Sequence, residues 1–160
     1  MDLKRILITG AAGSIGKSLR AGLAGHYQLI RLSDIVDLGS VGPGEEPNHA
    51  DLEILSDVET ACAGMDAVIH LGAVASEAGF DTILGPNIIG AYNLFEAAHR
   101  SGVKRVIFAS SNHAVGLYEV GTPLGVVEAV RPDGFYGAAK AFGESLAVLY
   151  HKKWELESAS

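Results

Sequence analysis

At 160 residues, 48% hydrophobic and 19% charged, the chain is long enough for one domain with a real core, too short for two, and too apolar for disorder. Its formal charge of -7, from 19 acidic against 12 basic residues with no basic run or stripe, argues against nucleic acid as a partner. A single cysteine, Cys62, excludes an intramolecular disulfide and makes a poor metal site, so a reducing, cytoplasmic setting fits best.

The opening Met1-Asp2-Leu3-Lys4-Arg5 leads into an apolar run of only Ile6-Leu7-Ile8, which reads as neither an export signal nor a membrane span. Residues 4–9 predict a short, fully buried strand, and the spacing of Ile15, Leu19 and Leu23 predicts a helix over 14–24, closed by Gly25. A second strand over 27–32 stops at Ser33-Asp34. Residues 38–48, with three glycines and two prolines, read as an irregular loop, and His49-Ala50 as a minimal third strand. A helix is expected over 52–63, with Leu52, Leu55, Val58 and Cys62 inward, then a strand over 67–71. A long helix follows over 82–100, a fifth strand over 103–109, a loop over 110–134, and a last helix from 135 to 152 or 153. Tyr150 and Trp154, at the far end of that helix, look like packing residues. Strand and helix alternate throughout, which predicts an α/β fold: a parallel sheet covered on both faces, in the Rossmann-type three-layer αβα arrangement.

Gly10, Gly13 and Gly16 form G-x-x-G-x-x-G at the junction of the first strand and helix. There Gly10 permits the tight turn, Gly13 lets the backbone approach a pyrophosphate, and Gly16 lets the helix pack on the sheet. The helix N-terminus, at Ser14 and Ile15, offers free N–H groups to the phosphates. Asp34, 18 residues beyond Gly16 at the end of the second strand, suits the two adenosine ribose hydroxyls and repels a 2′-phosphate, which favours NAD over NADP. Arg31, three residues earlier, is expected to point away without reaching the ribose. Asp51, followed by Leu52, either caps the second crossover helix or touches adenine. Leu71, Gly72 and Ala73 leave the fourth strand at the ligand-facing edge, with room for a flat cofactor over the strand tips.

Tyr136 and Lys140 are four apart at the start of a helix and share one face, where a cation beside a phenol favours phenolate. Ser111 precedes Tyr136 by 25 residues, at the end of the fifth strand, with a hydroxyl suited to a substrate oxygen. The set suits hydride transfer, Tyr136 taking the alcohol proton while NAD takes the hydride. His70, at the tip of a buried strand, reads as structural. His26, His49 and His99 have no carboxylate or cysteine at ligand spacing, so no metal is expected.

Taken together, Thr9-Gly10 through Gly16, Asp34, Asp51-Leu52, Asn87-Ile88-Ile89-Gly90 with Asn93-Leu94, Ser110-Ser111 and Tyr136 through Lys140 resemble the extended short-chain dehydrogenase/reductases, which include sugar-nucleotide epimerases and dehydratases. Within that family the chain looks most like the N-terminal portion of bacterial uronate dehydrogenases. The pointers are Val68-Ile69-His70-Leu71-Gly72, Phe108 through His113, and Arg131-Pro132-Asp133-Gly134-Phe135-Tyr136-Gly137. Epimerases of the family usually carry Val-Tyr-Gly shortly after the serine, where this chain has Asn112-His113-Ala114-Val115-Gly116. The resemblance implies oxidation of the anomeric carbon of D-galacturonate or D-glucuronate to an aldarolactone. Tyr136 would be the base, Lys140 would bind the nicotinamide ribose, and Ser111 would hold the reacting oxygen. Ser76, Asn112 and His113 would contact sugar hydroxyls, although a loop serine and a histidine bonded to nearby backbone are the plainer alternatives. Asn87, grouped with the cofactor residues, would hold local backbone and ordered water.

The resemblance also implies a homo-oligomer built through the two long helices. It implies that the chain stops before the sixth strand, leaving 103–109 as an open apolar edge. A substrate-binding lobe would lie beyond residue 160, and the 160 residues alone would bind NAD weakly and turn over little. Two rival readings share the fold: a sugar-nucleotide epimerase or dehydratase, and a non-catalytic NAD-binding protein.

Overall fold

A computed structural model describes residues 3–160; residues 1 and 2, where the reading of the N-terminus began, lie outside the described residues. Strand β1 (Arg5–Thr9) shows no alternation, because Ile6, Leu7 and Ile8 are all buried, as a strand covered on both faces requires. It is followed by α1 (Ser14–Leu23), β2 (Leu29–Asp34), β3 (Glu45–His49), α2 (Leu55–Cys62) and β4 (Ala67–His70). Then come α3 (Phe80–Ile83), a π-helical segment (Leu84–Ile89), α4 (Gly90–Arg100), β5 (Arg105–Phe108), a 3-10 turn (Asn112–Val115), α5 (Phe135–Trp154) and β6 (Glu157–Ala159). The strands form one parallel sheet in the order β3-β2-β1-β4-β5-β6. The winding direction reverses between β1 and β4, which opens a crevice beyond their carboxyl ends.

One face of the sheet packs Val68, Val106 and Phe108 against Val58 of α2, Leu94 and Phe95 of α4, and Leu146 and Tyr150 of α5. The other packs Ile6, Ile8, Ile30 and Leu32 against Leu19 and Leu23 of α1. Cover on this second face is uneven, for Ile107 on β5 stays 39% exposed. Arg31 turns away from the ribose end as expected: it donates to the carbonyls of Ala61 and Ala63 at 2.8 and 2.9 Å and pairs with Glu46.

Four expectations need correction. The third strand is Glu45–His49, within the stretch read as a loop, and Ala50 lies beyond it. It has no apolar pattern because it is the sheet edge, where charge and Pro47 are tolerated and block further pairing. A sixth strand is present: Glu157–Ala159 pairs with Arg105–Ile107, held by the Arg105–Glu157 ion pair and by buried Leu156, so β5 is not an open edge. The second crossover helix begins at Leu55, three residues after the expected start. Finally, the long helix over 82–100 is interrupted. Pro86 has no N–H to give the ladder, and the turn widens so that the Gly90 N–H reaches the Gly85 carbonyl, five residues back.

Cys62 is fully buried, and desolvation pushes its thiol up to about 12. The native protein is therefore expected to resist alkylation by iodoacetamide at neutral pH, with reaction appearing only as it unfolds. Labelling of native protein at the rate of a free thiol would contradict the packing of α2 on the sheet.

Candidate active site

Gly10 sits at φ +67°, and a Cβ there would lie 2.7 Å from the Gly72 N, so the turn off β1 and the exit from β4 touch backbone to backbone. Gly16 lets α1 lie on the turn itself, since a Cβ would come within 2.7 Å of the Ala11 Cα. At Gly13 an added Cβ would meet only the Gly10 carbonyl, at 3.2 Å. Gly13 is also the residue preceding α1, whose first turn has neither an acidic side chain nor a side-chain cap. Its N–H groups at Ser14 and Ile15 are thus available to an anion. Asp34 ties β2 to this loop: Oδ2 accepts from Ala12 N at 2.9 Å and Oδ1 from Val36 N at 3.1 Å. Each oxygen keeps a lone pair for a further donor.

These residues line a groove of about 590 Å³ that gathers Gly10, Gly13, Ser14, Ile15, Gly16, Asp34, Asp51, Leu52, Leu71, Gly72 and Ala73. Ile35 and Val36 add exposed apolar surface at its Asp34 end. Asp51 does not cap α2; its Oδ1 accepts from Glu53 N at 2.9 Å, forming a turn ahead of the helix. Leu52 is clamped by Asn93, which donates to its carbonyl at 2.8 Å, and its side chain abuts Gly72. Asn87 lies off the groove. Its amide accepts from Val74 N at 2.8 Å and donates to Val74 O at 3.0 Å, so it braces the wall that follows Ala73.

Beneath the groove Thr9 and His70 form a buried pair at 2.7 Å. Thr9 Oγ1 also accepts from Gly72 N at 3.2 Å, so one hydroxyl joins the strand tip to the turn that leaves β4. Burial, and then the nearby Lys140, push His70 down to about 3, which keeps it neutral. Its buried place agrees with the structural reading, and the Thr9 hydroxyl that it meets is the one that holds Gly72 N.

The second group gathers around the start of α5. Lys140 is buried and donates to the Ala109 carbonyl at 2.7 Å; its Nζ is 5.5 Å from the centre of the Tyr136 ring. The Ser111 hydroxyl accepts from His113 N at 3.2 Å and donates to Asn112 at 3.3 Å, while Ser110 ties the same turn to Glu144 of α5. The His113 and Tyr136 rings meet edge to face, 5.7 Å apart. Ser76 is exposed beside Glu77, and neither lines the groove.

Sequence reasoning missed Glu77 and assigned no role to Asp133. The Glu77 carboxylate accepts from both Phe135 N and Tyr136 N at 3.0 Å, capping α5 in place of any side chain at its own N-terminus. Glu77 and Tyr136 are 59 positions apart, so no local pattern announces the contact. Asp133 binds the ring of His113, with the turn Pro132-Asp133-Gly134 as its only signal.

Desolvation pushes Lys140 down to about 8 from 10.5. Between those values the unfolded chain holds more protons than the folded one, so stability rises with pH across the window. Below it the cost of burying the ammonium is present in full. Lys140→Met is expected to abolish that rise and to stabilise the protein near neutral pH by on the order of 1–3 kcal/mol. Urea melts at about pH 7 and about pH 10 check this; an unchanged pH slope would contradict it.

The family model described as the NAD dependent epimerase/dehydratase family matches residues 6–160. The chain belongs to that family. The Uronate dehydrogenase of Pseudomonas putida is 45% identical to it over 157 residues, 98% of this chain and 59% of that protein. A solved uronate dehydrogenase mutant from Agrobacterium tumefaciens, complexed with NAD, superposes with a TM-score of 0.95 at 44% identity, over 98% of this chain and 59% of that one. A UDP-galactose 4-epimerase structure superposes with a TM-score of 0.83 at 30% identity, over 96% and 54%. The chain thus spans little more than half the length of these proteins. Among the described residues no helix is long and apolar enough to cross a membrane, and no group of three or more His, Cys, Asp or Glu stands ready for a metal.

Proposed function

We propose that residues 1–160 form the NAD-binding domain of an oxidoreductase and carry the proton-handling residues for oxidising the anomeric carbon of a hexuronic acid to an aldarolactone. The observation that carries this reading is the meeting of Tyr136, Lys140 and the Ser111-Asn112-His113 turn, with Lys140 5.5 Å and His113 5.7 Å from the Tyr136 ring. Asn112-His113 after the serine favours a uronate over a sugar nucleotide, in line with the 45% identity to a uronate dehydrogenase.

The cradle fits a dinucleotide: glycine approaches that any Cβ would fill, an uncapped helix N-terminus, and a carboxylate at the end of β2. Gly10, Gly13, Ser14, Ile15 and Gly16 would hold the pyrophosphate, and Asp34 the adenosine ribose. Asp51 and Leu52 would border the adenine, and Leu71, Gly72 and Ala73 would floor the nicotinamide half, with Asn87 as their brace. NAD, when bound, supplies a nicotinamide carbon that accepts a hydride. Tyr136 would take the proton of the C1 hydroxyl, the C1 hydrogen would leave as hydride with the electron pair of its bond to that acceptor, and the C1–O bond would become the lactone carbonyl. Lys140, which donates to the Ala109 carbonyl, would hold the nicotinamide ribose, and Ser111 would donate to the reacting oxygen. Ser76, Asn112 and His113 hold sugar hydroxyls.

Tyr92 on α4 and Val148 and Leu149 on α5 leave apolar surface exposed, which suits a homo-oligomer joined through these helices. A cytoplasmic location suits the lone buried thiol. The test supplies NAD with D-galacturonate, D-glucuronate or a UDP-hexose to a protein of the relatives' full length that contains this chain, and follows absorbance of the reduced cofactor. Reduction with either uronate is expected. No reduction with either uronate, together with conversion of the UDP-hexose to its epimer followed by chromatography (an epimerase returns the hydride and accumulates no reduced cofactor), would replace this reading by the epimerase one.

A further inference from the structure

The Asp133 carboxylate straddles the ring of His113, with Nδ1 3.0 Å from Oδ1 and 2.9 Å from Oδ2. The pair is built in from both sides. Asp133 N donates to the His113 carbonyl at 3.3 Å, and Arg131 N donates to the Ala114 carbonyl at 2.9 Å, so the segment before α5 is zipped to the turn after β5. Gly116 leaves the space that the Asp133 carboxylate occupies, since a Cβ there would collide with it. Gly137 lets α5 start directly against the His113 carbonyl. The ring so held meets Tyr136 edge to face.

From this geometry we infer that Asp133 is a positioning residue: it locks His113 with its proton on Nδ1, so that Nε2 is presented to the substrate as a hydrogen-bond acceptor. A carboxylate accepts only, so Nδ1 must be the donor, and in the neutral ring Nε2 is then the acceptor. A sugar hydroxyl that donates to Nε2 is favoured there, whereas an unlocked ring would present an N–H in part of the population.

This inference rests on the uronate reading, and its test separates the two. In 15N-histidine-labelled protein at mildly alkaline pH, with His113→Gln to assign the signal, His113 is expected as the Nδ1–H tautomer. Adding D-galacturonate or D-glucuronate in the presence of NADH should shift the Nε2 signal of His113 and leave Nδ1 protonated. Asp133→Ala should mix the tautomers and weaken uronate binding about tenfold, with NADH affinity changed less than about twofold. Asp133→Asn, whose amide oxygen still accepts from Nδ1, should recover part of that loss. Gly116→Ala, which displaces the carboxylate from a distance, should resemble Asp133→Ala. Uronate binding that leaves Nε2 unmoved, or an Asp133→Ala protein that binds uronate as the parent does, overturns the inference and leaves the uronate reading standing. If no uronate binds although the Nδ1–H tautomer is present, the uronate reading fails and the role given to Asp133 fails with it.

Discussion

Tyr136→Phe is expected to lower uronate-dependent NAD reduction by roughly 10²–10⁴-fold while leaving NAD affinity within about threefold. The change removes one oxygen and nothing that supports the fold. The residue's backbone N–H is held by Glu77, its ring lies against His113, and Lys140 is anchored on the Ala109 carbonyl, none of which needs the phenol oxygen. What is lost is the atom that takes the C1–OH proton as the hydride leaves, a loss felt in the transition state and little in the ground state. The expected signature is a fall in kcat with KM for uronate changed much less. A variant that keeps a tenth or more of the parent rate would remove Tyr136 from the role of base.

Gly10→Ala is expected to cost stability and cofactor binding together. The left-handed backbone at φ +67° costs an L-residue about 1–2 kcal/mol. The new methyl would also sit 2.7–2.8 Å from the Gly72 N and Cα, where only backbone can give way. Gly72 cannot retreat easily, because its N–H is bonded to Thr9 and its other side abuts Leu52. A loss on the order of 3 kcal/mol or more in chemical denaturation is expected, with NAD binding lost beyond detection because the pyrophosphate turn and the nicotinamide floor share that contact. Gly22→Ala is the control: the same methyl meets nothing within 4 Å and should change neither quantity by much. Wild-type NAD affinity in Gly10→Ala would contradict the cradle described here.

The parts of the fold legible in the chain are those whose signal is local. Ile6-Leu7-Ile8 followed by Gly10 and Gly13 states a buried strand and a turn within a few residues, and the alternation of apolar runs with Gly25, Gly64 and Gly102 marks the element ends. β3 was illegible because an edge strand needs no apolar face and gains from the charge and proline that elsewhere signal a loop. β6 was illegible for a different reason: Glu157-Ser158-Ala159 has no pattern of its own and takes its structure from pairing with β5. The interruption before α4 did have a signal in Pro86, which was outweighed by the apolar periodicity around it. In the candidate site, the glycine turn, Asp34, Asp51-Leu52 and Leu71 through Ala73 follow from motif spacing and line one continuous groove, whereas Asn87, Tyr136 and Lys140 lie outside its lining. Glu77 on α5 and Asp133 on His113 arise from contacts 59 and 20 positions apart, which no window of sequence contains.

Everything proposed for this chain rests on the groove between β1 and β4 being a dinucleotide site whose Asp34 selects against a 2′-phosphate. Calorimetric titration of the chain with NAD and, separately, NADP tests that most directly. The expected result is saturable NAD binding at least about tenfold tighter than NADP, with the difference erased in Asp34→Ala. NADP binding as tight as NAD, or no binding of either at millimolar concentration, would contradict it.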